Sequence, residues 1–237
     1  MNDLIGKQVD LDVMPYYGLA EATVGGRSCV ISQSGFSGEA GYEIYLRNAT
    51  LYAEDMWNAV LKAGKKHKLM VIAPAHHRRI QAGILSWGQD LDHESSPFQV
   101  NLSYQVPRNK EADYIGKKEL ERQRSIIDDG KEPFKMKMVG ITFGGKEITD
   151  YASDFWLVSD TDGKDMGYVT SPWWSPELGT NIALAWVPWS SSEVGTKLFV
   201  KLPDEYSVNS GEPVEGVVVD VPFRQSVNCL LYTSPIP

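Results

Sequence analysis

Two periodicities divide this chain. Up to about residue 106, stretches that alternate apolar and polar residues are interleaved with stretches whose apolar residues recur every three or four positions. Beyond residue 135 only the alternating kind continues. Residues 20–24 and 28–32 read as strands around the turn Gly25-Gly26. Residues 42–46 alternate strictly, with Tyr42, Ile44 and Leu46 on one face and Glu43 and Tyr45 on the other. Residues 51–63 read as a helix with Ala53, Trp57, Val60 and Leu61 on its apolar stripe and Gly64 as its stop. A short apolar strand is predicted over 68–72. Pro74 suits the first turn of a further helix, predicted to run to Trp87 with Ile80, Ile84 and Trp87 on its buried side and Gly88 as terminator.

Polarity then rises, and 116–128 reads as a charged, exposed helix ending at Gly130. Short strands follow at 136–143, 155–159, 166–170, 182–187, 197–202 and 214–221. Gly144-Gly145, Asp162-Gly163 and Pro203-Asp204 mark turns between them, which argues for a small barrel or sandwich. The fold class is therefore α+β, with an α/β part over 1–106, a helical connector over 107–134 and a β part over 135–224. Residues 225–237 follow neither pattern and read as a doubtful tail.

Composition acts mainly by exclusion. With 42% hydrophobic and 23% charged residues, the chain of 237 residues has the make-up of a globular protein with a substantial core. A net charge of -8 argues against nucleic acid or an acidic membrane as partner, because phosphate binding requires clustered Lys and Arg. Cys29 and Cys229 form no C-x-x-C, so neither a disulfide framework nor a thiolate zinc site is expected. No apolar run reaches the roughly 20 residues that span a bilayer, and the start lacks a signal-peptide pattern. The expected location is cytoplasmic.

The candidate chemistry centres on residues 34–46. Gly35, Gly38 and Gly41 read as a tight loop that lets backbone approach closely, and the strand after it carries Glu43 beside Tyr45. A carboxylate only accepts hydrogen bonds, so its natural ligand is a flat heterocycle with two adjacent N–H donors. The competing reading is a solvent-facing glutamate on a hairpin. Arg79 could hold a ligand carboxylate or could form an ion pair that fixes its own helix. His76 and His77 point about 100° apart on a helix and cannot share a metal, so no metal site is expected. Asp90, Asp92 and Glu94 share a loop whose spacing favours capping and solvation over acid–base work. Pro172-Trp173-Trp174-Ser175-Pro176 reads as a rigid aromatic loop that stacks on a flat ligand or seals an interface. Nucleophile-elbow, P-loop and dinucleotide-binding motifs are lacking.

Taken in order, these segments resemble the glycine-cleavage T-protein, or aminomethyltransferase, family. Residues 35–44 are similar to its G-[YF]-[ST]-G-E-x-G-[YF]-E-[IL] signature, and residues 79–92 to its R-L-x-A-G-L-x-x-Y-G-x-D-x-D segment, with Pro97-Phe98 following. Gly167-Tyr168-Val169-Thr170-Ser171, Ser175-Pro176 and Asn181-Ile182-Ala183-Leu184 resemble its barrel signature, and Gly195-Thr196 and Pro222-Phe223 close the likeness. The resemblance covers nearly all of residues 15–223. It implies a partial folate-binding α/β domain followed by a small C-terminal β-barrel, tetrahydrofolate as cofactor, and transfer of a one-carbon unit from a small-molecule donor. It maps the pterin-holding glutamate onto Glu43 and makes Tyr45, Arg79 and Trp174 folate-binding candidates.

The chain departs from the family at three places. The family's catalytic aspartate lies upstream of the matched region, so no catalytic residue is assigned here. An N-terminal domain of the same protein becomes an expected partner, and the fragment alone is expected to be inactive. A folate-binding arginine of the family falls at Ala75, and a folate-contacting tyrosine falls close to Asn228. Together with Ser86-Trp87-Gly88-Gln89-Asp90, the loss at Ala75 is similar to folate-dependent demethylases of methylated sulfur or methoxy compounds. A non-catalytic folate-binding protein is the third alternative.

Overall fold

The computed structural model of the chain describes residues 1–224; the doubtful tail, with Asn228 in it, lies outside the described residues. The chain divides into two compact units between Ala75 and His76.

The first unit contains α1 (Asn2–Ile5), β1 (Leu19–Val24), β2 (Arg27–Ser32), β3 (Glu43–Leu46) and α2 (Ala49–Gly64). Its strands form an antiparallel sheet in the order β1-β2-β3. Gly25 and Gly26 both have positive φ, which two-residue hairpins need to match the twist of their strands. Ala22, Val24, Cys29 and Ile31 point inward, joined by Tyr42, Ile44 and Leu46, and α2 closes this core with Met56 and Val60. The apolar stripe of α2 therefore differs from the expected one: Ala53 and Trp57 are exposed, and Met56 is buried. Two overlapping stripes are available on this helix, and only the one through Met56 meets the sheet. The expected strand over 68–72 is absent. Leu69, Met70, Val71 and Ile72 are exposed and pair with no strand among the described residues, so they lack the ladder that would make them one.

The second unit contains α3 (His76–Gln81), α4 (Lys117–Asp128) and six strands: β4 (Met136–Phe143), β5 (Trp156–Ser159), β6 (Asp165–Ser175), β7 (Thr180–Pro188), β8 (Lys197–Val200) and β9 (Val214–Val219). The strands close into an antiparallel barrel in the order β4-β7-β6-β5-β8-β9, with β9 returning to β4. Between barrel and sandwich, the structure selects the barrel. Its interior is filled by alternate residues such as Val139, Ile141 and Phe143 of β4 and Ala183, Ala185 and Val187 of β7. The opposite face of these strands is also covered. Met138, Ile182, Leu184 and Trp186 pack against Ile80 and Val100. Burial on both sides is why 182–187 is apolar at every position rather than alternating.

That second packing layer ties residues 76–134 to the barrel. Gln99 and Asn101 donate side-chain hydrogen bonds to the carbonyls of Met136 and Met138 at 3.1 and 3.0 Å. The change of pattern near residue 135 thus marks a change of local structure, while the division by packing falls earlier, after Ala75.

The helix expected over 74–87 is much shorter. Gly83 adopts φ 70°, its N–H bonds to the Ile80 carbonyl, and the Ile84 N–H reaches back to Arg79, which ends the helix. Trp87 is consequently 69% exposed rather than buried. The aromatic loop expected at 172–176 is also different, because Pro172, Trp173 and Trp174 lie within β6. A bulge between Val169 and Ser171 sits just before Pro172 and accommodates a residue without an N–H donor.

One close approach fixes a glycine in the barrel. A Cβ on Gly167 would lie 2.1 Å from the Trp186 carbonyl oxygen, a backbone atom of the neighbouring strand. Gly167→Ala is expected to destabilise the protein by at least about 3 kcal/mol, since the strands themselves would have to part. Urea unfolding followed by tryptophan fluorescence checks this, and a loss below about 1 kcal/mol would contradict the strand spacing.

Candidate functional site

In the first unit, β3 begins at Glu43, opposite Ser32 of β2. With Tyr42, Ile44 and Leu46 turned into the core, Glu43 and Tyr45 share the other face. The loop before them needs fewer glycines than its sequence implies. Only Gly38 has a positive φ, 72°. A Cβ on Gly35 would meet nothing within 4 Å, so neither close approach nor backbone angle demands glycine there.

The half-buried Glu43 carboxylate is held by one oxygen. The Ser34 hydroxyl donates to Oε2, and the Tyr45 hydroxyl donates to the same atom at 3.1 Å. Oε1 accepts no hydrogen bond from the described residues. The hydrogen bond that the Tyr45 phenol donates to this carboxylate, and then the carboxylate's negative charge, raise the phenol above its ordinary range. Ser34 escaped the sequence reading; its only signal was a hydroxyl at the entrance of the glycine loop.

Arg79 and Trp174, the other two candidates, belong to the second unit. Arg79 is fully buried, and its donors are engaged within the protein. Nη1 pairs with Asp90 Oδ2 at 2.5 Å and also reaches the Ile84 carbonyl, while Nη2 donates to the Ser171 hydroxyl at 2.6 Å. Of the two readings weighed for Arg79, the geometry supports the ion pair and gives a ligand anion no path to the guanidinium. Asp90 is equally committed. Its Oδ2 also accepts the Ser86 N–H at 2.7 Å, and its Oδ1 accepts the hydroxyls of Thr170 and Ser171 at 2.6 Å each. The acidic loop accordingly splits by role: Asp92 caps the Glu94 N–H at 2.9 Å, while Asp90 is a core residue. Two ionic residues, each beside an apolar neighbour, Ile80 and Leu91, were the only sequence sign of this pair.

His76 extends the network. Both ring nitrogens face the guanidinium, which has only donors: Nη2 lies 2.9 Å from His76 Nε2 and Nε lies 3.4 Å from Nδ1. Burial, and then the positive charge of Arg79, lower the imidazole from 6.5 to about 4. Its ring lies against Tyr151 and Trp173 at centroid distances of 4.6 and 5.1 Å. Trp174 points to the other side of β6, half-buried, opposite Asn181 of β7. Among the described residues no helix is long and apolar enough to cross a membrane.

Comparison with known proteins gives this arrangement its class. Residues 1–110 match the GCVT N-terminal domain, and residues 137–223 match the glycine cleavage T-protein C-terminal barrel domain. The aminomethyltransferase of Thermotoga maritima is 31% identical over 217 residues, covering 90% of this chain and 53% of that protein. That of Chloroherpeton thalassium is 28% identical, covering 91% of this chain and 54% of that protein. The crystal structure of glycine cleavage system aminomethyltransferase T from Bartonella henselae shares the fold, with a TM-score of 0.69 at 22% identity over 92% of this chain and 55% of that one. The chain belongs to the glycine-cleavage T-protein family. It spans about half the length of the curated relatives it matches.

Two outcomes follow for the buried network. Asp90→Asn leaves the Arg79 charge without its counter-ion and is expected to cost about 3–5 kcal/mol in urea unfolding; a loss under about 1 kcal/mol would mean the pair is solvated. His76 makes stability depend on pH. As pH falls below 6.5 the unfolded chain takes up a proton that the folded chain refuses until about pH 4, so stability drops as pH drops through that window. The decrease between pH 6.5 and 4.5 is expected to be on the order of 2 kcal/mol. His76→Gln should flatten that part of the profile, and an unchanged slope would remove His76 as its source. Every tryptophan except Trp57 lies in the second unit, so fluorescence reports mainly on it.

Proposed function

We propose that this chain is the folate-holding part of a tetrahydrofolate-dependent one-carbon transferase of the aminomethyltransferase kind. The observation that carries the reading is the state of Glu43: a carboxylate on a rigid strand, gripped at Oε2 by its neighbours, with Oε1 given no partner by the described residues. A half-buried acceptor of this kind fits the paired N–H donors of a pterin ring. Tetrahydrofolate, when bound, supplies the nitrogen that receives the one-carbon unit. The protein's part is to accept the pterin donors at Glu43 and to hold the ring beside the Tyr45 side chain, so its contribution is positioning. Trp174, half-buried on β6 of the second unit, stays a stacking candidate in its own right. Arg79 is not assigned a ligand.

The relatives named above are aminomethyltransferases, which favours an aminomethyl group as the transferred unit, delivered by a small-molecule donor together with the part of the protein that such relatives have and this chain does not span. A second reading, a demethylase of a methylated sulfur or methoxy compound, draws on Ala75 in place of the family's arginine and on the Ser86-Trp87-Gly88-Gln89-Asp90 sequence. Both readings place the pterin on Glu43 and differ only in the donor.

Glu43→Gln replaces one acceptor oxygen with a donor amide. Affinity for tetrahydrofolate, measured by calorimetry, is expected to fall by about 1.5–3 kcal/mol, the usual worth of a hydrogen bond to a charged group. Unchanged affinity would remove Glu43 from the site.

A further inference from the structure

A carboxylate gripped by one oxygen constrains how a two-donor ligand can reach it. Each carboxylate oxygen offers about two acceptor positions. Ser34 and Tyr45 both donate to Oε2 of Glu43 and so occupy both of its positions, while Oε1 has none filled by the described residues. Adjacent N–H donors on a planar ring bind a carboxylate as a fork, one to each oxygen. One occupant of Oε2 must therefore leave before the fork can close.

The two occupants are not equivalent. Ser34 is partly buried and backed by a second hydroxyl, since its Oγ lies 2.9 Å from Ser32 Oγ on β2. Each hydroxyl has one proton, and the charged acceptor competes best for that of Ser34. Ser34 is thus held between Glu43 and Ser32, whose own hydroxyl donates to the Gly18 carbonyl at 3.3 Å, and is anchored in the sheet. Tyr45 is 55% exposed, and its hydroxyl donates along its own strand to Glu43 at 3.1 Å and also lies within reach of the Ser34 hydroxyl. Turning about its side-chain torsions would give that hydroxyl to water at little cost.

We propose that Ser34 is the fixed holder of the Glu43 carboxylate, a positioning residue, and that the Tyr45 hydroxyl is an exchangeable occupant that yields its place to the ligand's second donor. The carboxylate torsion of glutamate is broad and roughly two-fold when nothing pins it. Ser34 removes that freedom in advance, so the ligand meets an oriented acceptor. Tyr45 satisfies the carboxylate until the ligand arrives. This assignment deepens the folate reading and rests on it.

The test is calorimetric titration of tetrahydrofolate into the whole chain and its variants Ser34→Ala, Ser34→Thr, Tyr45→Phe, Glu43→Gln and the Ser34→Ala/Glu43→Gln double variant. Ser34→Ala should weaken binding roughly three- to ten-fold, and Ser34→Thr should restore it to within about two-fold. In the Glu43→Gln background Ser34→Ala should add nothing, because its effect passes through Glu43. Tyr45→Phe should bind about two- to five-fold tighter than the parent, having no hydroxyl to displace. Unchanged or weaker binding by Tyr45→Phe, or no effect of Ser34→Ala, would overturn the assignment while leaving Glu43 as the pterin holder. If Glu43→Gln alone changes nothing, the folate reading fails and this assignment with it. Should Ser34→Ala not fold, the Tyr45→Phe result decides, since a merely structural role predicts no gain in affinity.

Discussion

A guanidinium and a carboxylate with no access to water make up the interaction on which the barrel unit depends. Either ion alone at that depth would be prohibitive. Here Asp90 receives four donors, from Arg79, the Ser86 N–H, Thr170 and Ser171, which is all that a carboxylate can accept. The partners come from α3, the loop after it and β6. The network therefore fastens the segment that begins at His76 to the outer face of the barrel, beside the apolar layer of Ile80, Val100 and Leu184. Its directional bonds set one register for that layer, which hydrophobic contact alone would leave free to slide.

Glu43 shows the opposite use of the same functional group. It too sits on regular structure and is held by neighbours, but the hydroxyls of Ser34 and Tyr45 converge on one oxygen, and the other accepts no hydrogen bond from the described residues. Asp90 is saturated and contributes to stability. Glu43 has both of its described donors on one oxygen, which is the feature the proposed folate reading uses. Under the folate reading proposed above, in which the cofactor would bring the reactive nitrogen, a pre-oriented acceptor is the contribution required of the protein.

Much of this was legible along the chain. Strict alternation in 42–46 is enough to send Glu43 and Tyr45 to one face, because side chains on a strand have no other choice. The hairpin at Gly25-Gly26 and the six barrel strands were readable for the same local reason. The misreadings share a different cause. The 74–87 segment has helical periodicity, yet Gly83 ends the helix by taking a positive φ where a side chain would strike Val221, a residue distant in sequence. Leu69 to Ile72 have strand composition, and no strand among the described residues pairs with them. Arg79 looked available to an anion because nothing in its neighbourhood along the chain announces Asp90, Thr170 and Ser171 as its company.

Residue order by itself determined which side chains share a face, where turns fall, and that the family's acidic strand is present, since those properties depend on neighbours a few positions apart. Tertiary structure alone decided which of the ionic groups were consumed. Saturation of Asp90 and the one-sided grip on Glu43 arise from donors brought together by folding, and a hydrogen bond depends on distance in space, not on separation along the backbone.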